Sequence, residues 1–244
     1  HRPLMTAWVF RLLLLVSLGP VSLAQAATEA PRYQFSPPDF DGIGKRYLGR
    51  SIAHVMGHRG AGWLERPSRQ DEERTDLLIE SLPLSEDSVV ADIGAGTGYF
   101  AFPVAQRVPR GKVLAVDIQQ EMLELIDQRK HREGADNIAL VEGSIDGINL
   151  PPDSIDLAYI VDAYHEFSHP FEMGRSIFEA LKPGGQLVLI EYRAEDDAVP
   201  IKRLHKMTAR QANKEMQVLG FELTKSIDVL PQQHFMVFTK PQAP

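Results

Sequence analysis

The stretch Val89-Val90-Ala91-Asp92-Ile93-Gly94-Ala95-Gly96-Thr97-Gly98-Tyr99-Phe100 decides the fold of this chain. A short apolar run ends in Asp92, a glycine loop follows, and a helix-compatible segment comes next. The pattern is a strand, a tight turn and a helix start. Glycines at 94, 96 and 98 let the backbone take positive φ angles and keep Cβ atoms out of a ligand's way. The helix start adds unpaired N–H groups and a positive dipole end. A ligand with a carboxylate tail and a ribose suits such a turn.

The spacing narrows the reading. A dinucleotide fingerprint, G-x-G-x-x-G, counted from Gly94 needs glycine at 99, where this chain has Tyr99. That argues against a nicotinamide oxidoreductase. The next apolar run, Lys112 to Asp117, ends in an acid 23 residues after Gly94. An acid at the tip of the second strand of a βαβ unit accepts ribose hydroxyls. The plainer role for Asp117 is to cap the helix that starts near Gln119, and one carboxylate has oxygens enough for both.

Working outward, strands are expected at 88–93, 112–117, 138–142, 155–161 and 186–191. Helices are expected near 69–82, 99–108, 119–132 and 170–181, the last with Pro170 in its first turn. Lys182-Pro183-Gly184-Gly185 turns the chain into strand 186–191. Thr208-x-x-Gln211 signals a capping box for a helix that runs to about 219. Segments 221–227 and 234–239 close the sequence as a pair of strands. Alternating strands and helices predict a doubly wound, mostly parallel α/β sheet with helices on both faces.

The 244 residues suit one such domain with an N-terminal extension. A net charge of −7 argues against nucleic acid as a partner. With no cysteine there is no disulfide and no thiolate metal site. Arg2 and Arg11 flank the start of a short apolar core, 12–18, broken by Gly19-Pro20 and followed by Ala24-Gln25-Ala26. This reads as a signal peptide over 1–26 that exports the protein to the periplasm or beyond, with Met5 a possible true start. The alternative is an uncut N-terminal membrane anchor. Removing Arg2 and Arg11 takes the net charge to −9. Residues 27–67, rich in Pro and Gly, are expected to form an arm and a helical lid, and 68–244 the main domain.

Asp92-Ile93-Gly94-Ala95-Gly96-Thr97-Gly98, Val116-Asp117 and the run from Leu181 to Leu189 resemble motifs of the class I S-adenosylmethionine-dependent methyltransferases. The resemblance covers 75–240. It implies a seven-stranded Rossmann-like sheet whose last strand runs antiparallel, and S-adenosyl-L-methionine as cofactor. It implies that Gly94, Gly96 and Gly98 admit the methionine moiety, with Asp92 beneath the loop near the amino group. It places Asp117 on the ribose, Ile118 on the adenine, Ser144 at the adenine edge, and Asp162 near the methionine and the acceptor.

Acceptor chemistry is expected at the carboxyl ends of the later strands. Asp162-Ala163-Tyr164-His165-Glu166-Phe167 follows the fourth strand of the core, and Glu191-Tyr192-Arg193 ends the fifth. His165, Glu166, Glu191 and Arg193 are the candidate catalytic residues, with His165 the base for a hydroxyl acceptor. His205-Lys206 sits where it can close over the pocket or form a solvated turn. His54 and His58 have i,i+4 spacing but no third ligand, so no metal is expected. A thiol needs little base help, since its free pKa is about 8.5. The reading is methyl transfer to a small-molecule thiol, sulfide, hydroxyl or phenol. A non-catalytic nucleoside-binding module and a protein methyltransferase are the alternatives.

Overall fold

The computed structural model describes residues 31–242. The export segment expected at 1–26 lies outside them. Among the described residues no helix is long and apolar enough to cross a membrane.

The chain opens with a three-stranded antiparallel sheet, β1 (Tyr33–Phe35), β2 (Gly42–Tyr47) and β3 (Arg50–Ala53). This corrects the expected helical lid. Helix is confined to a turn at His58–Gly60 and to α1 (Ala61–Leu64), before α2 (Arg69–Glu73) and α3 (Thr75–Ser81). The expected single helix over 69–82 breaks at Arg74, whose φ of 51° is left-handed.

The main domain follows the expected alternation. Its elements are β4 (Val89–Ile93), α4 (Ala101–Arg107), β5 (Lys112–Asp117), α5 (Gln120–Glu133), β6 (Ile138–Glu142), β7 (Ile155–Val161), α6 (Pro170–Ala180), β8 (Leu181–Tyr192), α7 (Ala209–Gln217), β9 (Glu222–Ile227) and β10 (Gln233–Thr239). Thr208 Oγ1 caps α7 by accepting the Gln211 N–H at 3.1 Å, as the capping box predicts. Gly134, at φ 67°, ends α5 in the left-handed conformation that glycine adopts without strain.

The seven strands lie in the order β6-β5-β4-β7-β8-β10-β9. All neighbours are parallel except β10, which runs against both β8 and β9. The strands are apolar on both faces, as a doubly covered sheet requires. Ala91, Leu114, Ala158 and Leu189 pack toward α6 and α7. Their neighbours Val90, Val113, Leu157 and Val188 pack toward α3, α4 and α5. The chain winds outward from β4 to β6, then crosses back to place β7 on the other side of β4. A crevice opens at the carboxyl ends of β4 and β7, where the winding reverses.

Arg50 joins the small sheet to the main domain. Its Nε and Nη2 donate to the Glu215 carboxylate of α7 at 2.7 and 2.9 Å, and Nη1 donates to the His165 carbonyl at 3.2 Å. The Glu215 side chain is fully buried, so its charge is met by Arg50 rather than by water.

Candidate functional site

A cavity of about 590 Å³ occupies the crevice. One wall is the glycine loop, the end of β5 and the segment after β6: Gly94, Gly96, Asp117, Ile118, Gly143 and Ile145. The lining also includes Asp162, His165, Glu166 and His205, with Trp63, Leu64 and Arg69 from α1 and α2.

The loop conformation depends on its glycines. Gly94, Gly96 and Gly98 have φ of 74°, 56° and 80°, where side chains are strained. Gly94 and Gly96 line the cavity. Gly98 does not; a Cβ there would come within 2.9 Å of Phe102 and 3.2 Å of Ile126, so this glycine serves packing of the loop on α4 and α5. Asp117 Oδ2 accepts the Gly96 N–H at 2.8 Å and Oδ1 accepts the Gln119 N–H at 2.9 Å. The carboxylate thus fixes both the loop and the turn into α5, and each oxygen keeps a lone pair for a ligand hydroxyl. Ile118 is 41% exposed, an apolar side chain presented to the cavity.

Two expected cofactor contacts differ from the sequence reading. Asp92 is buried behind the wall and does not line it, and burial pushes its carboxyl up to about 7. The Ser144 hydroxyl turns away to Asp146 Oδ1 at 2.7 Å, leaving Gly143 and Ile145 on the cavity. Asp162 does line it, with φ 50°. Its Oδ2 accepts from Gln233 at 3.1 Å, while Oδ1 is buried without a hydrogen-bond partner among the described residues. Burial, with Glu73 and Glu191 nearby, holds its pKa well above the usual carboxylate range.

Arg69 carries no signal in the sequence, because an Arg-x-x-x-Glu pair reads as a solvated helix face. Both partners are buried. Arg69 Nε donates to Glu73 Oε2 at 3.0 Å and Nη1 donates to the Leu64 carbonyl at 2.9 Å. Glu73 also accepts from Arg66 at 2.5 Å and from the Tyr192 hydroxyl at 2.7 Å. Burial alone would raise Glu73, but Arg69 and these donors hold it below its ordinary value.

The acceptor side is a chain of titratable groups. Glu191 Oε1 accepts the His165 N–H at 3.2 Å, and Oε2 lies 2.6 Å from His165 Nδ1, so one proton lies between them. Burial pushes Glu191 up to about 8, opposed by Arg50, and His165 down to about 3, opposed by Glu166. His165 Nε2 lies 3.1 Å from His205 Nδ1, with the rings 69° apart. Glu166 Oε1 stands 3.4 Å from His205 Nδ1 and 3.9 Å from His165 Nε2. Glu166 holds His205 above its ordinary pKa. On the far side of that ring, Nε2 lies 2.6 Å from Asp41 Oδ2, a short contact in which neither atom reaches hydrogen-bond alignment.

Of the expected catalytic residues, His165, Glu166 and Glu191 come together. Arg193 does not. β8 ends at Tyr192, and the Arg193 guanidinium pairs with Asp228 at 2.7 Å and donates to the Pro231 carbonyl at 3.2 Å, outside the cavity. His205 joins the cluster rather than a solvated turn. Asp41 was missed because a lone Asp in a Pro- and Gly-rich arm reads as a turn former.

Residues 90–185 match the family model described as a methyltransferase domain. An uncharacterized methyltransferase-like protein of Schizosaccharomyces pombe is 31% identical over 137 residues, 56% of this chain and 50% of that protein. A malonyl-[acyl-carrier protein] O-methyltransferase of Methylococcus capsulatus is 29% identical over 194 residues, 72% of this chain and 66% of that one. A demethylmenaquinone methyltransferase of Chlamydia trachomatis is 29% identical over 124 residues, 51% and 53% of the two chains. The chain spans about half the length of most of these curated relatives. Among solved structures, a SAM-dependent methyltransferase from Aquifex aeolicus superposes with a TM-score of 0.72 at 20% identity, over 76% of this chain and all of that one. Residues 90–185 therefore match a methyltransferase domain, and the chain has the Rossmann-like methyltransferase fold. That fold and domain indicate S-adenosyl-L-methionine as the cofactor.

The residues on the cavity wall fit that cofactor. Asp117 offers lone pairs to a ribose, and Gly94 and Gly96 line the cavity, packed so closely that a Cβ would come within 3.0 Å of Ala163 and 2.9 Å of Leu64. The unpartnered Asp162 Oδ1 suits an ammonium group.

Proposed function

We propose that this protein transfers a methyl group from S-adenosylmethionine to a small-molecule thiol, sulfide, hydroxyl or phenol. The observation that carries this reading is that the glycine loop, Asp117, His165, Glu166 and His205 line one cavity. When bound, the cofactor supplies an electrophilic methyl group, a centre that calls for alignment and a dry chamber.

Asp117 binds the ribose hydroxyls, and Ile118 and Ile145 cover the base with apolar surface. Asp162 receives the ammonium group, whose positive charge favours the ionised carboxylate that burial otherwise opposes. Arg69, held by Glu73 and the Leu64 carbonyl, meets the carboxylate of the methionine moiety. The cluster of His165, Glu166 and His205 stabilises the acceptor in its deprotonated form, with Glu191 fixing the His165 ring. Trp63 and Leu64 shield the chamber from water. The name of one relative, a demethylmenaquinone methyltransferase, agrees with a small-molecule acceptor.

The test is turnover of the full chain with S-adenosylmethionine against panels of thiols and phenols, reading S-adenosylhomocysteine formation. Acceptor-dependent product supports the proposal. Cofactor binding without product across both panels would overturn the acceptor class.

A further inference from the structure

His165 Nε2, His205 Nδ1 and Glu166 Oε1 converge on one point of the cavity wall. Their mutual separations are 3.1, 3.4 and 3.9 Å. A triangle with those sides has its centre about 2.0 Å from each corner, the bond length of a divalent transition ion to imidazole nitrogen or carboxylate oxygen. We propose that these three side chains bind a first-row divalent transition-metal ion.

The surroundings of the two rings support the assignment. Metal-bound histidines usually give their other ring nitrogen to a carboxylate or carbonyl, which fixes the tautomer and aims the free lone pair. His165 has that hydrogen-bonded partner, and a carboxylate stands close to the corresponding nitrogen of His205. Glu191 lies 2.6 Å from Nδ1 of His165, and Asp41 lies 2.6 Å from Nε2 of His205. Each carboxylate sits on the nitrogen that faces away from the triangle. Two histidines that served only to hydrogen-bond each other would not need a carboxylate behind each ring and a third one beside the contact.

The ligands come from distant parts of the chain. His165 and Glu166 belong to the turn after β7, His205 to the turn at Arg203–His205, Glu191 to the end of β8, and Asp41 to the loop before β2. This explains why no metal signature is visible in the sequence. Two imidazoles and one carboxylate favour zinc, iron, cobalt or nickel over magnesium or calcium, which take oxygen ligands. Three protein ligands leave a position open, as catalytic sites do.

All three ligands line the cavity, so the open position is available to an acceptor. Resting on the methyl-transfer reading, this gives the acceptor heteroatom its place. A thiol or hydroxyl bound to the ion gives up its proton to solvent and remains as the anion. Its electron pair then forms the bond to the methyl carbon as the carbon–sulfur bond of the cofactor breaks, and S-adenosylhomocysteine leaves.

The test does not depend on turnover. The full chain is stripped with a chelator and titrated with cobalt(II), followed by visible absorption, and with zinc(II), followed by calorimetry. S-adenosylmethionine binding is titrated separately on the same preparations. One equivalent of metal with a ligand-field band is expected. Glu166→Gln and His205→Gln should lose stoichiometric binding, Glu191→Gln should weaken it about 10–100-fold, and His58→Ala should leave it unchanged. Circular dichroism checks that each variant is folded. No stoichiometric uptake by the folded protein, or equal uptake by His205→Gln and Glu166→Gln, would overturn the metal site. Loss of S-adenosylmethionine binding with metal uptake intact would overturn the methyl-transfer reading instead.

Discussion

Glu191 Oε2 stands 2.6 Å from His165 Nδ1, and both side chains are 2% exposed. Glu191 therefore acts on the cavity through the ring it holds, not by touching a substrate. His165→Ala is expected to lower kcat about 100-fold or more while changing S-adenosylmethionine affinity little. Glu191→Gln should give a milder loss of the same kind, because amide and carboxylate hold the ring differently. Steady-state kinetics with separate cofactor titration checks both. Equal losses in turnover and cofactor affinity would mark His165 as structural.

The Arg50–Glu215 pair makes the N-terminal sheet part of the same folding unit as α7. Removing one partner leaves a buried charge without its counter-ion. Arg50→Met or Glu215→Gln is expected to cost about 3–5 kcal/mol, and replacing both with apolar side chains should recover much of that. Denaturant unfolding measures it. Losses near zero for the single variants would show that the small sheet folds independently of α7.

Asp92 offers a test by pH. Its carboxyl is raised to about 7 by burial, against an ordinary value of 3.8. Between those values the folded state holds a proton that the unfolded chain has released. The contribution is full below the unfolded pKa and is lost as pH rises through 7. Relative to Asp92→Asn, which does not titrate there, the unaltered protein should lose about 1–4 kcal/mol of stability between pH 4 and pH 8. Unfolding curves of both proteins at the two pH values decide it. A difference that stayed constant would contradict the buried, protonated state.

The main domain was legible because its signals are local. Strands 112–117, 138–142 and 155–161 are mainly apolar runs bounded by turn formers, and they fall where expected. The glycine loop and Asp117 were legible for the same reason. The N-terminal sheet was not. β2 contains two glycines and three polar or aromatic residues in six, without clean alternation, and its pairing depends on contacts far along the chain. Ser144 and Arg193 lie beside the right elements, but side-chain direction at a strand end is set by partners such as Asp146 and Asp228. Arg69 and Asp41 draw their importance from burial and from long-range neighbours. Neither is visible in spacing.

The central claim is that the glycine loop and Asp117 form an S-adenosylmethionine site. Calorimetric titration of the full chain with S-adenosylmethionine and, separately, with NAD tests it most directly. The account predicts one micromolar site for S-adenosylmethionine and none for NAD, with Asp117→Ala weakening the former by roughly 1–3 kcal/mol. Absence of S-adenosylmethionine binding, or an affinity unchanged by Asp117→Ala, would contradict it.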